Sequence, residues 1–548
     1  MLERLVEDWL DSASERSYQT PFCQALAAEG HRILHSSRHG PIEYGKDVIT
    51  VGPDGIPNAY QLKGNPGSRL TLNEYRNIEA QLFELVSLPL AHPSIRNPEH
   101  HAFLVTNGLV EEEVLEAIRR TNDGYVAAGF PRRRLEVLQR GDLLSMFQTL
   151  GSAMWPSELK DTSLLLSMMT DDGKDTYPIK KLDALLVHLL GLADADQQRN
   201  GRQVRRTVTS AAMLVSVSLR NFARQENHYA VLTAWTVFAT YAIAACEKHG
   251  VSVRNALASL EIATAAIKDA LVALSKEMLA EKVLTEGDPM VDFIFYRGRY
   301  TLLMGLAALL WLWCEKDGQW PHDLPKDDVE SFLKEGRPNL YLWGQGAIPQ
   351  LLLYYWYLTR SSPGAEVHRL LYVILSAINN SAVHEEAALP TPYYSFADVA
   401  RHQLAAILGR SQDPLREENS GGSSFFAESL MHLLVRTGYK QACKRVWPDL
   451  TRVVWMRFDP AQPWQFCLWR SPHGRYTHHV PELTKQWTDL VQEARSVLCD
   501  GVPAALRTRE LLLALFVLLC PQRATPNVVR RLGWQLGRGW FIDEPIGS

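Results

Sequence analysis

The sequence predicts an α/β domain over roughly the first 150 residues followed by a large all-α region, and three observations carry that prediction. Helical and strand-like periodicities alternate from about residue 16 to 150, whereas beyond about residue 155 almost every segment reads as helix. The chain is 548 residues long, several times the usual ~100–200 residues of one domain, so at least two cores are expected. Its 46% hydrophobic and 22% charged residues are the composition of a globular protein. The expected divisions are residues 1–150, a helical domain at 151–410, a mobile loop at 411–424 and a C-terminal helical lobe at 425–548. The loop is read from "GRSQDPLREENSGGSS", which mixes charge, Ser and Gly without periodicity.

In chain order, residues 17–29 make a helix stopped by Gly30, with Tyr18, Phe22 and Leu26 spaced along one face. "HRILHS" (31–36), "KDVITV" (46–51) and "NAYQLKG" (58–64) read as strands. "PDGIPN" between the last two carries the Pro, Asp and Gly of a turn, so these strands are expected to pair as an antiparallel hairpin. A polar helix over 71–88, a buried-type strand "HAFLVTNG" (101–108), a helix over 111–120 and a short strand "RLEVLQ" (134–139) complete the domain. Long apolar or amphipathic segments then follow from residue 181 to 519 with no fixed repeat, and stacked helical hairpins are the simplest way to bury them.

Several function classes are disfavoured. A formal charge of -4 argues against a polycation that coats nucleic acid, leaving local basic patches as the means of any such contact. The 7 cysteines are far apart, with no C-x-x-C pair, which suits reduced core thiols and argues against structural zinc. The acidic, amphipathic start lacks the features of a signal peptide, so a cytoplasmic protein is expected. The uncharged run 229–246 is at the lower limit for crossing a bilayer, but its hydroxyls, alanines and flanking charges favour a buried helix, so no membrane partner is expected. No Walker-type phosphate loop occurs.

The stretch "EYGKDVITVGPDGIPNAYQLKG" (43–64) holds the chemistry. Side chains alternate along a strand, so Asp47 shares a face with Ile49, and Gln61 shares one with Lys63. A hairpin brings Asp47 beside Gln61 and Lys63. A carboxylate and an amide oxygen are hard ligands for Mg²⁺, and an adjacent ammonium can orient or deprotonate a water and offset phosphate charge. A solvated hairpin would carry the same polar residues without any such role.

These residues resemble the PD-(D/E)xK nuclease superfamily, specifically its Mrr-like restriction-endonuclease branch. "YQTPFCQALAAEG" is similar to that family's leading helix, "GKDVI" to its G-x-D strand, "AYQLKG" to its Q-x-K strand, and "FLVTNGLVEEEVLEAI" to a later strand, Thr-Asn turn and helix. The resemblance covers about a quarter of the chain and implies a restriction-endonuclease-like α/β domain. It makes Asp47 the metal-binding carboxylate, Gln61 the second motif position, Lys63 the catalytic lysine, and Mg²⁺ or Mn²⁺ the cofactor. Two positions depart from it: Gln19 stands where many members carry Glu in the leading helix, and Gln61 where many carry Glu or Asp. Glu43 is the candidate replacement ligand, with Glu29 a weaker one.

DNA is the expected substrate. The basic clusters Arg132, Arg133, Arg134 and Arg202, Arg205, Arg206 are candidates for phosphate contact, with solvated surface arginines as the alternative. The pairs His100/His101 and His478/His479 are read as loop histidines without a role, and Trp447, Trp455, Trp464, Trp469 and Trp487 as packing anchors. The resulting expectation is a Mg²⁺-dependent DNA endonuclease, an effector of prokaryotic defence whose helical region regulates it, oligomerises or engages a partner protein. The alternatives are a degenerate DNA-binding or interaction protein with the helical domain as scaffold or sensor, and a membrane-embedded effector.

Overall fold

The computed structural model describes residues 2–36, 46–90, 95, 99–130, 133–149, 159–193, 198–281, 293–336, 340–362, 365–383, 394–410, 422–469, 474–496 and 501–537. The chain opens with helices α1 (Leu2–Leu10) and α2 (Glu15–Ala28). Ser14 caps α2 by accepting from Ser17 N–H, and Gly30, at φ +99°, turns the chain out of it in a conformation that glycine adopts at no steric cost. Strands β1 (Arg32–Ser36), β2 (Val48–Val51) and β3 (Pro57–Lys63) follow, then the short β4 (Arg69–Leu70). Next come α3 (Leu72–Ser87), β5 (His101–Thr106), β6 (Leu109–Val110), α4 (Glu112–Ala127), β7 (Leu135–Leu138) and α5 (Arg140–Thr149). Thr71 and Glu74 form a reciprocal capping box that starts α3.

Five strands make one sheet in the order β1-β2-β3-β5-β7. β1–β2 and β2–β3 are antiparallel, and β3–β5 and β5–β7 are parallel. The β2–β3 turn closes with Gly52 N–H donating to Ile56 O at 2.9 Å, and Gly55 takes φ +82°, as the "PDGIPN" composition predicts. Period-two alternation then divides the side chains between two cores. Val48, Tyr60, Leu62 and Val105 pack with α1, α2 and α5, while Ile49, Ala59, Leu104 and Leu135 pack with α3 and α4. Tyr60 sits between Phe103, stacked at 4.9 Å, and Phe22, edge-on at 5.3 Å.

The chain divides into two compact units, Met1–Ile267 and Lys268–Ser548. Helices beyond the sheet contribute to the first unit: Met213 and Val217 of helix Gly201–Ser218, together with Ile262, enter the same core as Tyr18, Phe22 and Val48. Gln24 of α2, fully buried, donates to Ser259 O at 3.5 Å. Helix α2 is thus covered by the sheet on one side and by helices on the other.

Within this unit, helix His228–Lys248 is, among the described residues, the single one long and apolar enough to cross a membrane, and 89% of its apolar window is buried inside the fold. Two of its hydroxyls bond within the helix, Thr236 to Leu232 O at 2.8 Å and Thr240 to Val237 O at 2.9 Å, while Tyr241 donates to Asp183 of a neighbouring helix.

The second unit is mostly helical. Helix Phe293–Asp317 packs along Ile348–Ser361, and Ala427–Arg436 along Trp487–Arg495 and Pro526–Leu536. It is not all-α as the sequence predicts, because β8 (Ser423–Ser424), β9 (Val454–Pro460) and β10 (Gly474–His479) form a three-stranded sheet. β9 is pinned by a two-pronged Arg457–Glu428 pair at 2.5 and 3.2 Å and by Trp455, which is 1% exposed. Most of the loop expected at 411–424 lies outside the described residues, and its end, Ser423–Ser424, pairs with β9.

Candidate functional site

Asp47 stands one residue before β2, and its N–H donates to Tyr60 O at 2.9 Å, which extends the β2–β3 pairing. Val48 lies opposite Tyr60, so Asp47 comes opposite Gln61. Gln61 Nε2 donates to Asp47 Oδ2 at 2.6 Å, and Leu62 N–H donates to the same oxygen at 2.7 Å. Both side chains are buried, Asp47 at 5% and Gln61 at 3% exposure. The amide is therefore aimed nitrogen-first at the carboxylate, and Gln61 Oε1 is left buried with no hydrogen-bond partner. Such an orphan oxygen is costly, on the order of 1–3 kcal/mol, unless something donates to it or coordinates it.

Lys63 ends β3 two residues further on, partly exposed, and by alternation on the face of Gln61. Among the described residues no carboxylate lies within ion-pair distance of its ammonium. Tyr18 of α2, fully buried, meets its backbone. The phenol oxygen is 2.9 Å from Lys63 O, 3.2 Å from Lys63 N and 3.2 Å from Val105 O. Burial, then the charge of Glu15 and to a lesser degree that of Asp47, holds the phenol well above its ordinary pKa, so it stays a neutral hydroxyl.

Gln19 is buried and donates to Ser36 Oγ at 3.0 Å, which puts it against the end of β1. Glu43 and Arg132 lie outside the described residues. Glu29 follows α2 at its C-terminal end, about 16 Å along the helix from Tyr18. Lys46, beside Asp47, is buried and donates to Glu84 O at 3.4 Å near the end of α3, with burial lowering its pKa against the raising effect of Glu84. His100 Nε2 lies 2.7 Å from Leu85 O. His100 thus meets one of the last carbonyls of α3, and Lys46 adds a second donor to the Glu84 carbonyl, which already accepts from Leu88 N–H at 3.0 Å.

The basic residues lie on other elements than this pair. Arg133 lies over the Phe130 ring at 4.3 Å, and with Arg134 it lines an open groove of about 590 Å³ between α4 and β7. Arg202, Arg205 and Arg206 are exposed on the first turns of helix Gly201–Ser218. His479, on β10, lies 3.9 Å from Glu428 and edge-on to Trp455, in the second unit.

Sequence reasoning missed the polar corner that holds the site ends together. Asn107, fully buried, donates to Leu10 O and Ala13 O at 2.8 Å each and accepts from Asn65 N–H at 2.9 Å. Thr106 Oγ1 donates to Asn65 Oδ1 at 3.0 Å. The chain leaving β3 is thereby tied to the end of β5 and to the α1–α2 connection. The Thr-Asn-Gly signal was visible in the sequence, but its partners were not.

For a divalent cation, Asp47 and Gln61 Oε1 supply hard oxygens of the type Mg²⁺ accepts while keeping several waters. Among the described residues no group of three or more His, Cys, Asp or Glu is arranged to hold a metal ion. The fit therefore rests on one carboxylate and one orphan amide oxygen. No family model, no curated protein and no solved structure matches the chain.

Proposed function

We propose that this protein is a divalent-metal-dependent DNA endonuclease with a PD-(D/E)xK-type site at Asp47, Gln61 and Lys63. The observation that carries the reading is the 2.6 Å contact between Asp47 and Gln61 across two adjacent strands, with Lys63 next on the same face. Its support is threefold: the order of helix, G-x-D strand and Q-x-K strand, the mixed sheet that holds them, and the buried oxygen of Gln61 left unpaired beside a carboxylate.

In this reading Asp47 and Gln61 Oε1 hold Mg²⁺ or Mn²⁺, which when bound supplies Lewis-acid polarisation of a phosphate oxygen and an acidic water. Lys63 orients the attacking water and offsets charge on the phosphate as the bond breaks. Leu62 N–H keeps the Asp47 carboxylate turned toward the site. Arg133, Arg134, Arg202, Arg205 and Arg206 are available for backbone phosphates, a contribution that weakens with salt. The cellular role proposed is destruction of foreign DNA in a prokaryotic cytoplasm, regulated through the helical segments. Loss of protection against phage in cells carrying Asp47→Ala would support it, and equal protection would refute it.

The test is nicking of supercoiled plasmid with Mg²⁺ or Mn²⁺ by the parent, Asp47→Ala and Lys63→Ala. Cutting by the parent alone is the expected result, and equal cutting by all three would refute the assignment. One observation favours a second reading, a binding module that has lost catalysis: an amide in place of a carboxylate at position 61 satisfies Asp47 without any cation. Metal-independent DNA binding by a parent that never cuts would select it.

A further inference from the structure

We infer that Tyr18 is the positioning residue for Lys63, setting where the lysine stands relative to the Asp47–Gln61 pair. The inference rests on the nuclease reading above for its catalytic half and on the geometry alone for its structural half.

Lys63 is the last residue of β3, where a strand has least to hold it, and its side chain has no carboxylate partner among the described residues. Its placement therefore depends on its backbone. At this point β3 runs parallel to β5, with Lys63 opposite Thr106. The Tyr18 hydroxyl reaches both strands at their common end, accepting from Lys63 N–H at 3.2 Å and donating to Lys63 O at 2.9 Å or Val105 O at 3.2 Å. One hydroxyl thus engages the peptide groups on both sides of the Lys63 Cα, which restrains the two dihedrals that aim the side chain.

The two preceding residues are anchored differently, through Asp47, which receives the Gln61 amide and Leu62 N–H. Three consecutive residues of β3 are held in this way by two buried side chains, one from the β2 side and one from α2. The phenol is fully buried, and its burial keeps it protonated through the working pH range, so the clamp does not titrate. Helix α2 itself cannot drift: Phe22 packs edge-on against Tyr60, and Gln24 reaches Ser259 in the covering helices. The sequence spacing of Tyr18, Phe22 and Leu26 asks only for an apolar ring at position 18, so the hydroxyl is the feature that packing leaves unexplained.

The substitution that tests this is Tyr18→Phe, which keeps the ring and removes the oxygen. Phe147→Leu, in the same core but on α5, where the ring meets Trp9 edge-on, serves as the comparison for general destabilisation. Amide hydrogen exchange is read on peptides covering residues 60–64, and cleavage of supercoiled plasmid is followed under saturating Mg²⁺. In Tyr18→Phe, exchange at 62–64 is expected to rise about tenfold more than in the rest of the sheet, because a local restraint is lost. Its kcat is expected to fall by about 10–100-fold, the size of effect a misplaced catalytic group produces, with KM and the Mg²⁺ midpoint unchanged. Phe147→Leu should raise exchange evenly and leave kcat at the parental value.

Unchanged exchange at 62–64 in Tyr18→Phe overturns the clamp whether or not the protein cuts DNA. Raised exchange with parental kcat overturns the positioning role. A parent that cuts no DNA in any metal sinks the nuclease reading and the catalytic half of this inference with it, while the exchange result still decides the structural half.

Discussion

Replacing Gln61 with Glu tests the Asp47 contact and the metal reading together. Gln61 Nε2 lies 2.6 Å from Asp47 Oδ2, and both side chains are almost fully buried. The substitution changes volume little but exchanges a donor for a second negative charge. Two like charges about 4 Å apart repel by about 4 kcal/mol at an effective dielectric near 20, and a charge-assisted hydrogen bond of about 1.5–3 kcal/mol is lost as well. The fold limits this cost by keeping a proton between the two carboxyls, which raises the folded-state pKa of the pair. A raised pKa contributes full stability below the unfolded value of about 4.3 and loses it as pH rises through the folded value.

In chelator at about pH 8, Gln61→Glu should therefore be less stable than the parent by about 3 kcal/mol, and the gap should close toward about pH 4. For a unit of this size that is a shift of roughly 6–12 °C in Tm. Millimolar Mg²⁺ should restore most of the loss, because a divalent cation between two carboxylates replaces the missing donor, and should move the parent's Tm less. Thermal unfolding followed by circular dichroism, with and without metal, reads all of this. A variant that melts with the parent in chelator would refute the contact, and one that Mg²⁺ cannot rescue would refute the cation site.

Three further outcomes follow from other parts of the molecule. Lys63→Ala should lower plasmid cleavage by at least about 100-fold while leaving DNA affinity in Ca²⁺ within about twofold, since in the proposed reaction the lysine acts on the reacting groups; a filter-binding assay checks the second half. Asn107→Ala should cost about 3–5 kcal/mol in urea unfolding, because Leu10 O, Ala13 O and Asn65 N–H all lose a buried partner, and a loss below about 1 kcal/mol would show that water replaces it. His432, buried in the second unit, has its pKa lowered to about 3, chiefly by burial and then by Arg457 and other nearby cations. A base with a depressed folded pKa loses stability as pH falls below its unfolded value of about 6.5, at about 1.4 kcal/mol per unit, so the parent should lose about 2 kcal/mol more than His432→Gln between about pH 6.5 and 5.

Most of the α/β part was legible because it is built from local signals. The hairpin is written in "PDGIPN", the start of α3 in Thr71 and Glu74, and the pairing of Asp47 with Gln61 in the period-two register that the turn fixes. What escaped is long-range. Strands β9 and β10 sit in a tryptophan-rich stretch whose aromatics serve a helical core as well as a sheet, so their pairing had no local marker. Periodicity also shows which face of helix Gly201–Ser218 is apolar but not that this face lies on α2.

The same limit explains why the site was only half visible. Asp47, Gln61 and Lys63 announce themselves because a strand displays alternate residues together, and all three fall on one hairpin. Tyr18 and Asn107 act on that hairpin from 45 and 42 residues away, through one hydroxyl and one amide, and nothing near them in the sequence marks those partners. A site of this kind separates into residues that could do chemistry, which pattern finds, and residues that fix their geometry, which only the fold brings into contact. Gln61 belongs to both groups: its nitrogen steadies Asp47 while its oxygen is left without a partner. If position 61 served geometry alone, Glu would be a purely disruptive replacement. If it also faces a cation, Glu should be the one residue whose penalty the metal removes.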